Sequence, residues 1–300
     1  IHETPKTQKP SYRNAYFTGP SLAQNPTFVI AFHAYIAKTG DTGFLRKHYK
    51  QVVSAYDYLE SQRGKDGLLK EGIGGGWAES VLKRGAITFT NVCYARAAWC
   101  LSELASQLGN THDAHRFTND YTELCSIINQ RLWSPEDGGF YSDWLGLNRH
   151  HHFCTDGNML AILWDIAKPE YIPSIMEKMN KMAAEDDIPV RLAYDKYLFW
   201  RIYIFNIIGG MKNYHVGFSW LWLGSIYAMV QMKLGEKEKA IETLKQISAV
   251  IVEHKVVYEI YYRCEPVKTF FYESEHPWAW GAGMFLAACE QAGLKVNGSE

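Results

Sequence analysis

Apolar residues recur along most of the chain at the spacing of a buried helix face. Phe28, Ala31, Phe32, Tyr35 and Ile36 fall at i, i+3, i+4, i+7 and i+8, which sets them on one side of a 3.6-residue helix. Lys38-Thr39-Gly40-Asp41-Thr42-Gly43 breaks the pattern. Gly40 suits a left-handed helix end, and Asp41 or Thr42 suits the N-cap of a second helix over Phe44 to Gln62. The same device returns three times. Asn91 to Leu108 and His112 to Trp133 are joined through Gly109-Asn110-Thr111; Asn158 to Ala167 and Glu170 to Ala183 through Lys168-Pro169; Ser219 to Leu234 and Glu236 to His254 through Gly235. A last helix runs from Trp278 to Ala292. Turns this short force neighbouring helices antiparallel, so each unit is an αα-hairpin.

Strand signals are thin. Val256 to Tyr262 and Val267 to Tyr272 could form one short hairpin. The hairpins share a turn device but not a repeated sequence, which favours a toroid of hairpins over a solenoid. Residues 1–15 read as an extended arm, and residues 16–300 as one all-α domain. Long connections (64–90, 134–157, 187–217 and 255–277) alternate with the short turns. They hold most of the conspicuous Gly, Trp, His and acidic residues, so chemistry is expected there.

Composition narrows the partners. A net charge of -1 over 300 residues gives no electrostatic reason for nucleic acid or an anionic membrane. No apolar run is long enough to span a bilayer. Ten Trp, 19 Tyr and 14 Phe supply flat faces with polar edges, which suit sugar rings as well as core packing. Six scattered cysteines without CxxC spacing point to free thiols in a reducing, cytoplasmic compartment.

Three motifs could carry chemistry. In Gly74-Gly75-Gly76-Trp77-Ala78-Glu79-Ser80, a glycine run lets the backbone turn beside a ligand. Trp77 offers a stacking face and Glu79 a carboxyl. Tyr258-Glu259-Ile260-Tyr261-Tyr262-Arg263 and Tyr272-Glu273-Ser274-Glu275-His276-Pro277-Trp278-Ala279-Trp280-Gly281 share one long loop. Hydrolysis of a glycosidic bond needs two carboxyls, and Glu79 with one of Glu259, Glu273 or Glu275 would meet that need. Arg149-His150-His151-His152 reads as a loop face rather than a metal site, because adjacent residues point in different directions. No metal and no cofactor are expected.

Taken in order, these segments resemble the (α/α)6 glycosidases, a group that includes glycogen-debranching glucosidases, trehalases, mannosylglycerate hydrolases, processing α-glucosidases and neutral invertases. Pro20-Ser21-Leu22-Ala23-Gln24-Asn25-Pro26 resembles their opening segment, and Trp77-Ala78-Glu79-Ser80 their Trp-x-Asp general-acid segment, with Glu in place of Asp. Tyr214-His215-Val216-Gly217 resembles the aromatic segment opening an inner helix. Tyr258-Glu259-x-Tyr261 resembles the segment bearing the general base, and Glu275 to Gly283 the terminal helix start.

The resemblance implies an (α/α)6 toroid of antiparallel hairpins. About nine helices are visible where a closed barrel needs twelve, so the missing ones are expected upstream of residue 16. It implies an inverting hydrolase of an α-linked, glucoside-like small oligosaccharide, with Glu79 as acid and Glu259 as base. Trp77, Trp220, Trp222 and Trp280 would form walls, and Gln24, Asn25, His215, Arg263 and Glu275 would address hydroxyls. Two rivals remain: a sugar epimerase or isomerase using His33, His215 and His276, and a non-catalytic carbohydrate-binding module.

Overall fold

The computed structural model describes residues 2–3, 10–11, 21–147 and 149–294. It divides into two compact units: Ile1–Asp137 with Tyr141–His151, and Gly138–Phe140 with His152–Glu300. Of the expected arm, only β1 (His2–Glu3) and β2 (Pro10–Ser11) are described, and they pair antiparallel. The rest of residues 1–15, and Pro20 of the opening segment, lie outside the described residues.

In the first unit, α1 (Gln24–Thr39) and α2 (Thr42–Ser61) form one hairpin. Its turn uses the expected chemistry: the Gly40 N–H donates to Ile36 O at 2.8 Å, and Asp41 Oδ1 accepts from the Phe44 N–H at 2.8 Å. The second hairpin is α3 (Thr88–Gln107) with α4 (Thr111–Arg131), where the Asn110 side chain caps the Asp113 N–H. The two helices of that hairpin differ. In α4 only Phe117, Leu124, Ile128 and Asn129 are buried, a single stripe. In α3 nearly every residue from Thr88 to Ala105 is buried. A helix buried all round must be enclosed, and α3 packs against α1, α2 and α4.

The second unit repeats this contrast. It holds α5 (Thr155–Leu163), α6 (Ile172–Ala183), the short α7 (Ile204–Ile208), α8 (Leu221–Lys233), α9 (Lys237–His254) and α10 (Ala279–Gln291). Residues Leu221 to Gln231 of α8 are all buried, and α8 packs on α5, α9 and α10. Gly224 is required there, because a Cβ at that position would sit 1.9 Å from the Pro189 carbonyl oxygen. The nine expected helices are thus all present, with α7 in addition.

Three features depart from the expectations drawn from the sequence. Helix α5 stops at Leu163 rather than Ala167, because Asp165 takes a positive φ and the Ile166 and Ala167 N–H groups both turn back to Ala161 O. The connection 134–157 is not loop. It carries β4 (Trp133–Ser134), β5 (Phe140–Leu145) and β6 (Arg149–Phe153), and β3 (Ala86–Ile87) pairs with β5. The histidine run therefore lies on a strand: His150 stacks on Trp144 at 4.0 Å and His152 on Tyr197 at 4.3 Å. The expected hairpin near 256–272 shrinks to β7 (Tyr261–Tyr262) paired with β8 (Glu265–Pro266). No helix among the described residues is long and apolar enough to cross a membrane.

Candidate active site

In the first unit, the loop before α3 is tied down by Glu71, which did not stand out in the sequence, and by Thr90 and Asn91 at the start of the helix. Asn91, in the first turn of α3, accepts from the Leu69 N–H at 2.8 Å and donates to Leu69 O and Ile87 O. Glu71 pairs its backbone with Gly85 in both directions. Its carboxylate is 4% exposed. It accepts from the Leu22 N–H at 3.1 Å and the Thr90 hydroxyl at 2.9 Å, with further bonds from the Gly76 and Ala23 N–H groups. Burial raises its pKa, and those bonds partly offset the rise. Gly75 lies against this carboxyl: a Cβ there would come within 2.4 Å of Glu71 Cβ.

The loop so held presents Trp77, half-buried near Phe89, and Glu79, which is exposed. Beside it, Lys83 and Asp143 form an ion pair at 2.7 Å with side chains 2% and 3% exposed. Gln24 is exposed at the start of α1, and the Asn25 amide donates to Ala55 O, tying α1 to α2. His33 sits edge-on to Trp99, and burial followed by the Arg96 charge lowers its pKa.

In the second unit, Glu259 and Glu275 occupy contrasting environments. Glu259 is buried. Its Oε1 accepts from the Tyr214 hydroxyl at 2.7 Å, and its Oε2 from the Tyr272 hydroxyl. Burial raises its pKa, the two phenols oppose the rise, and the charge of Glu275 adds to it. Glu275 itself is exposed, and its backbone carbonyl accepts from the Glu259 N–H. Two bonds to a carboxylate still leave lone pairs on both oxygens, so Glu259 can accept from a water.

Aromatic rings support this carboxyl. Tyr214 meets His215, Trp220 and Tyr272 edge-on, His215 stacks flat on Trp220 at 5.2 Å, and Trp220 Nε1 donates to Tyr214 O. His215, Trp220 and Trp222 are each at most 2% exposed. They brace the tyrosine and the helix start rather than offering a face. Trp280 stacks on Trp222 at 4.6 Å and keeps an exposed side. Arg263, exposed and beside Tyr262, lines a polar recess with Asp186 and Arg191. His276 packs on Tyr258.

Tyr214 and Tyr272, which hold Glu259, were not among the expected site residues. Both lie inside motifs quoted above, but no spacing in the sequence joins them to Glu259. Among the described residues, no group of three or more His, Cys, Asp or Glu could hold a metal ion.

Solved structures share this fold. A rhamnosidase from Klebsiella oxytoca with rhamnose bound matches 91% of this chain and 47% of its own, at 14% identity and a TM-score of 0.66. A GH78 family rhamnosidase of Bacillus sp. GL1 matches over 89% and 26%, at 18% identity and 0.64. The GH63 mannosylglycerate hydrolase from Thermus thermophilus, in complex with glucose, matches over 95% and 80%, at 13% identity and 0.66. The chain thus spans about half of the first rhamnosidase and about a quarter of the second. No curated protein matches it in sequence. Residues 2–190 match the family described as the bacterial alpha-L-rhamnosidase 6 hairpin glycosidase domain. That is well over half of the 300 residues, and the all-α hairpin architecture agrees with it. The chain therefore belongs to the six-hairpin glycosidase domain family of the bacterial α-L-rhamnosidases.

Proposed function

We propose that this chain acts as an inverting glycoside hydrolase on terminal α-L-rhamnosides. The observation that carries the reading is Glu259: a buried carboxylate held by two phenols, with its pKa raised, in a chain of this family. A carboxyl so placed is fixed in direction and more basic than an ordinary glutamate, as a general base requires. Glu259 takes a proton from water as the water oxygen bonds to the anomeric carbon. Glu79 gives its proton to the leaving oxygen as the glycosidic bond breaks. Proton exchange with solvent then resets both groups, so the reaction needs no cofactor.

Trp77 and Trp280 supply faces for sugar rings. Gln24, Asn25, Arg263 and Glu275 address hydroxyls, Asn25 through the amide oxygen its bond to Ala55 leaves unused. His215 and Trp220 act through Tyr214, and Trp222 backs the Trp280 ring. Resemblance to the (α/α)6 glycosidases implies a glucoside. The glucose bound in the Thermus hydrolase keeps an α-glucoside as the second reading, while the family and the rhamnose bound in the Klebsiella enzyme favour the 6-deoxy sugar.

The test compares 4-nitrophenyl α-L-rhamnoside with 4-nitrophenyl α-glucoside and follows the first sugar released by proton NMR. The rhamnoside should turn over faster, and β-rhamnose should appear first. Glu79→Gln and Glu259→Gln should each lower kcat by about 10²–10⁴. An activated 2,4-dinitrophenyl leaving group should rescue Glu79→Gln but not Glu259→Gln. Wild-type rates in both variants, or α-rhamnose as first product, would refute the assignment.

A further inference from the structure

The second unit contains a cavity that the proposed hydrolysis does not use. Its volume is about 270 Å³, just below the usual range for small-molecule sites. Tyr197, Ile202 and Val216 are buried and form its apolar floor, and Phe199 and Ile207 complete the wall. Lys196 and Lys212 also line it, both exposed, and no acidic residue does. Among the described residues neither lysine forms an ion pair. Exposed apolar surface lies on the wall and on the helix that carries Ile207: Phe199 is 73% and Phe205 65% exposed. Exposed apolar surface rimmed by polar residues is a feature of ligand grooves.

We propose that this cavity binds a small anionic amphiphile: an aromatic or alkyl body carrying one carboxylate. The body is taken by the apolar floor, where burial of hydrocarbon supplies the affinity. The carboxylate is taken by the two ammonium groups, whose positive charge has no acid on the lining to neutralise it. Asn213, also on the lining, offers an amide donor to the same oxygens. The pairing of charge with apolar surface selects the ligand class: a sugar alone would leave the floor unfilled, and an inorganic anion would gain nothing from it.

The site is also connected to Glu259. Asn213 and Val216 flank Tyr214 in one tight turn, where Asn213 O accepts from the N–H groups of Val216, Gly217 and Phe218. Tyr214 holds Glu259 Oε1. Occupancy of the cavity therefore bears on the turn that positions this carboxyl.

Calorimetry on the whole chain, without glycoside, tests binding independently of turnover, so failure of the hydrolase reading would leave this result untouched. The probes are 1-naphthoate and its uncharged isostere 1-naphthamide. Naphthoate should bind at least five-fold more tightly than naphthamide, and less so at 0.5 M NaCl. The double variant Lys196→Ala/Lys212→Ala should lose that preference and leave naphthamide binding unchanged. Ile207→Trp, which fills the cavity, should weaken both probes. Equal binding of the two probes would overturn the proposal. So would a preference that survives the double variant, or binding that survives Ile207→Trp with the fold intact by circular dichroism.

Discussion

Replacing Tyr272 by Phe should raise the pKa of Glu259 and drag the acid limb of the kcat/KM profile with it. The phenol donates to Glu259 Oε2 while Tyr214 donates to Oε1. Both bonds favour the charged form and oppose the rise caused by burial and by Glu275. A hydrogen bond to a charged group is worth about 1.5–3 kcal/mol, and one pH unit corresponds to about 1.4 kcal/mol. Losing one of the two bonds should therefore move the limb up by about 1–2 units. The carboxylate retains Tyr214, so the variant should stay active at high pH and lose rate selectively at low pH.

The stability consequence has a definite sign. Glu259 already has a folded-state pKa above its unfolded value, so its contribution is fully present below the unfolded pKa and lost as pH rises through the folded one. Tyr272→Phe moves the folded pKa higher. Its deficit against the wild type should be constant up to the wild-type folded pKa, grow as pH rises from there to the variant's, and level off above it. The assay is kcat/KM from pH 4 to 9 with urea denaturation at matched pH. An acid limb that stays in place, with kcat lowered equally at all pH values, would refute the argument and leave Tyr272 a substrate contact instead.

Three further outcomes follow from the first and second units. Glu71→Gln should loosen the loop bearing Trp77 and Glu79, because an amide nitrogen cannot accept from the backbone N–H groups that Glu71 serves. Its stability deficit should be largest below the ordinary glutamate pKa and shrink as pH rises through the raised folded value, as thermal melts across pH would show. Lys83→Met should cost about 3–5 kcal/mol by stranding the buried Asp143 carboxylate. Lys83→Met/Asp143→Leu should recover most of that loss in urea titrations. Gly224→Ala should cost about 1–3 kcal/mol or more, because its methyl must displace the Pro189 carbonyl; a melt within a degree of the wild type would contradict this packing.

The helices were legible because their signals are local. The Gly40 and Asp41 pair, the Asn110 cap and the apolar spacing of α1 each act within a few residues. The sheet around β5 was not, since its partners β3 and β6 lie on both sides of it in sequence and its middle residues, Ser142 and Asp143, are polar although buried. The same distance effect governs the candidate site. Glu259 stood out by resemblance, but its bond to Tyr214 spans 45 positions and no local pattern announces it. His215, Trp220 and Trp222 stood out as aromatic groups near a loop, yet burial gives them a bracing part. Composition names the residue types a site could use; only packing assigns which ring faces a ligand and which faces another ring.

The double backbone pairing of Glu71 with Gly85 and the grip of Asn91 on Leu69 close the neck of the lobe that carries Trp77 and Glu79. A lobe pinched at its neck can change length without disturbing its support. Lengthening a closed loop costs little, about 0.6 kcal/mol for each doubling. Exposed positions between Gly72 and Arg84 can thus accept insertions while α3 starts where it does, whereas Lys83 stays fixed by its buried pair with Asp143. Variation among relatives in which sugar is accepted would then accumulate here as insertions, with the clamp residues at the neck held constant.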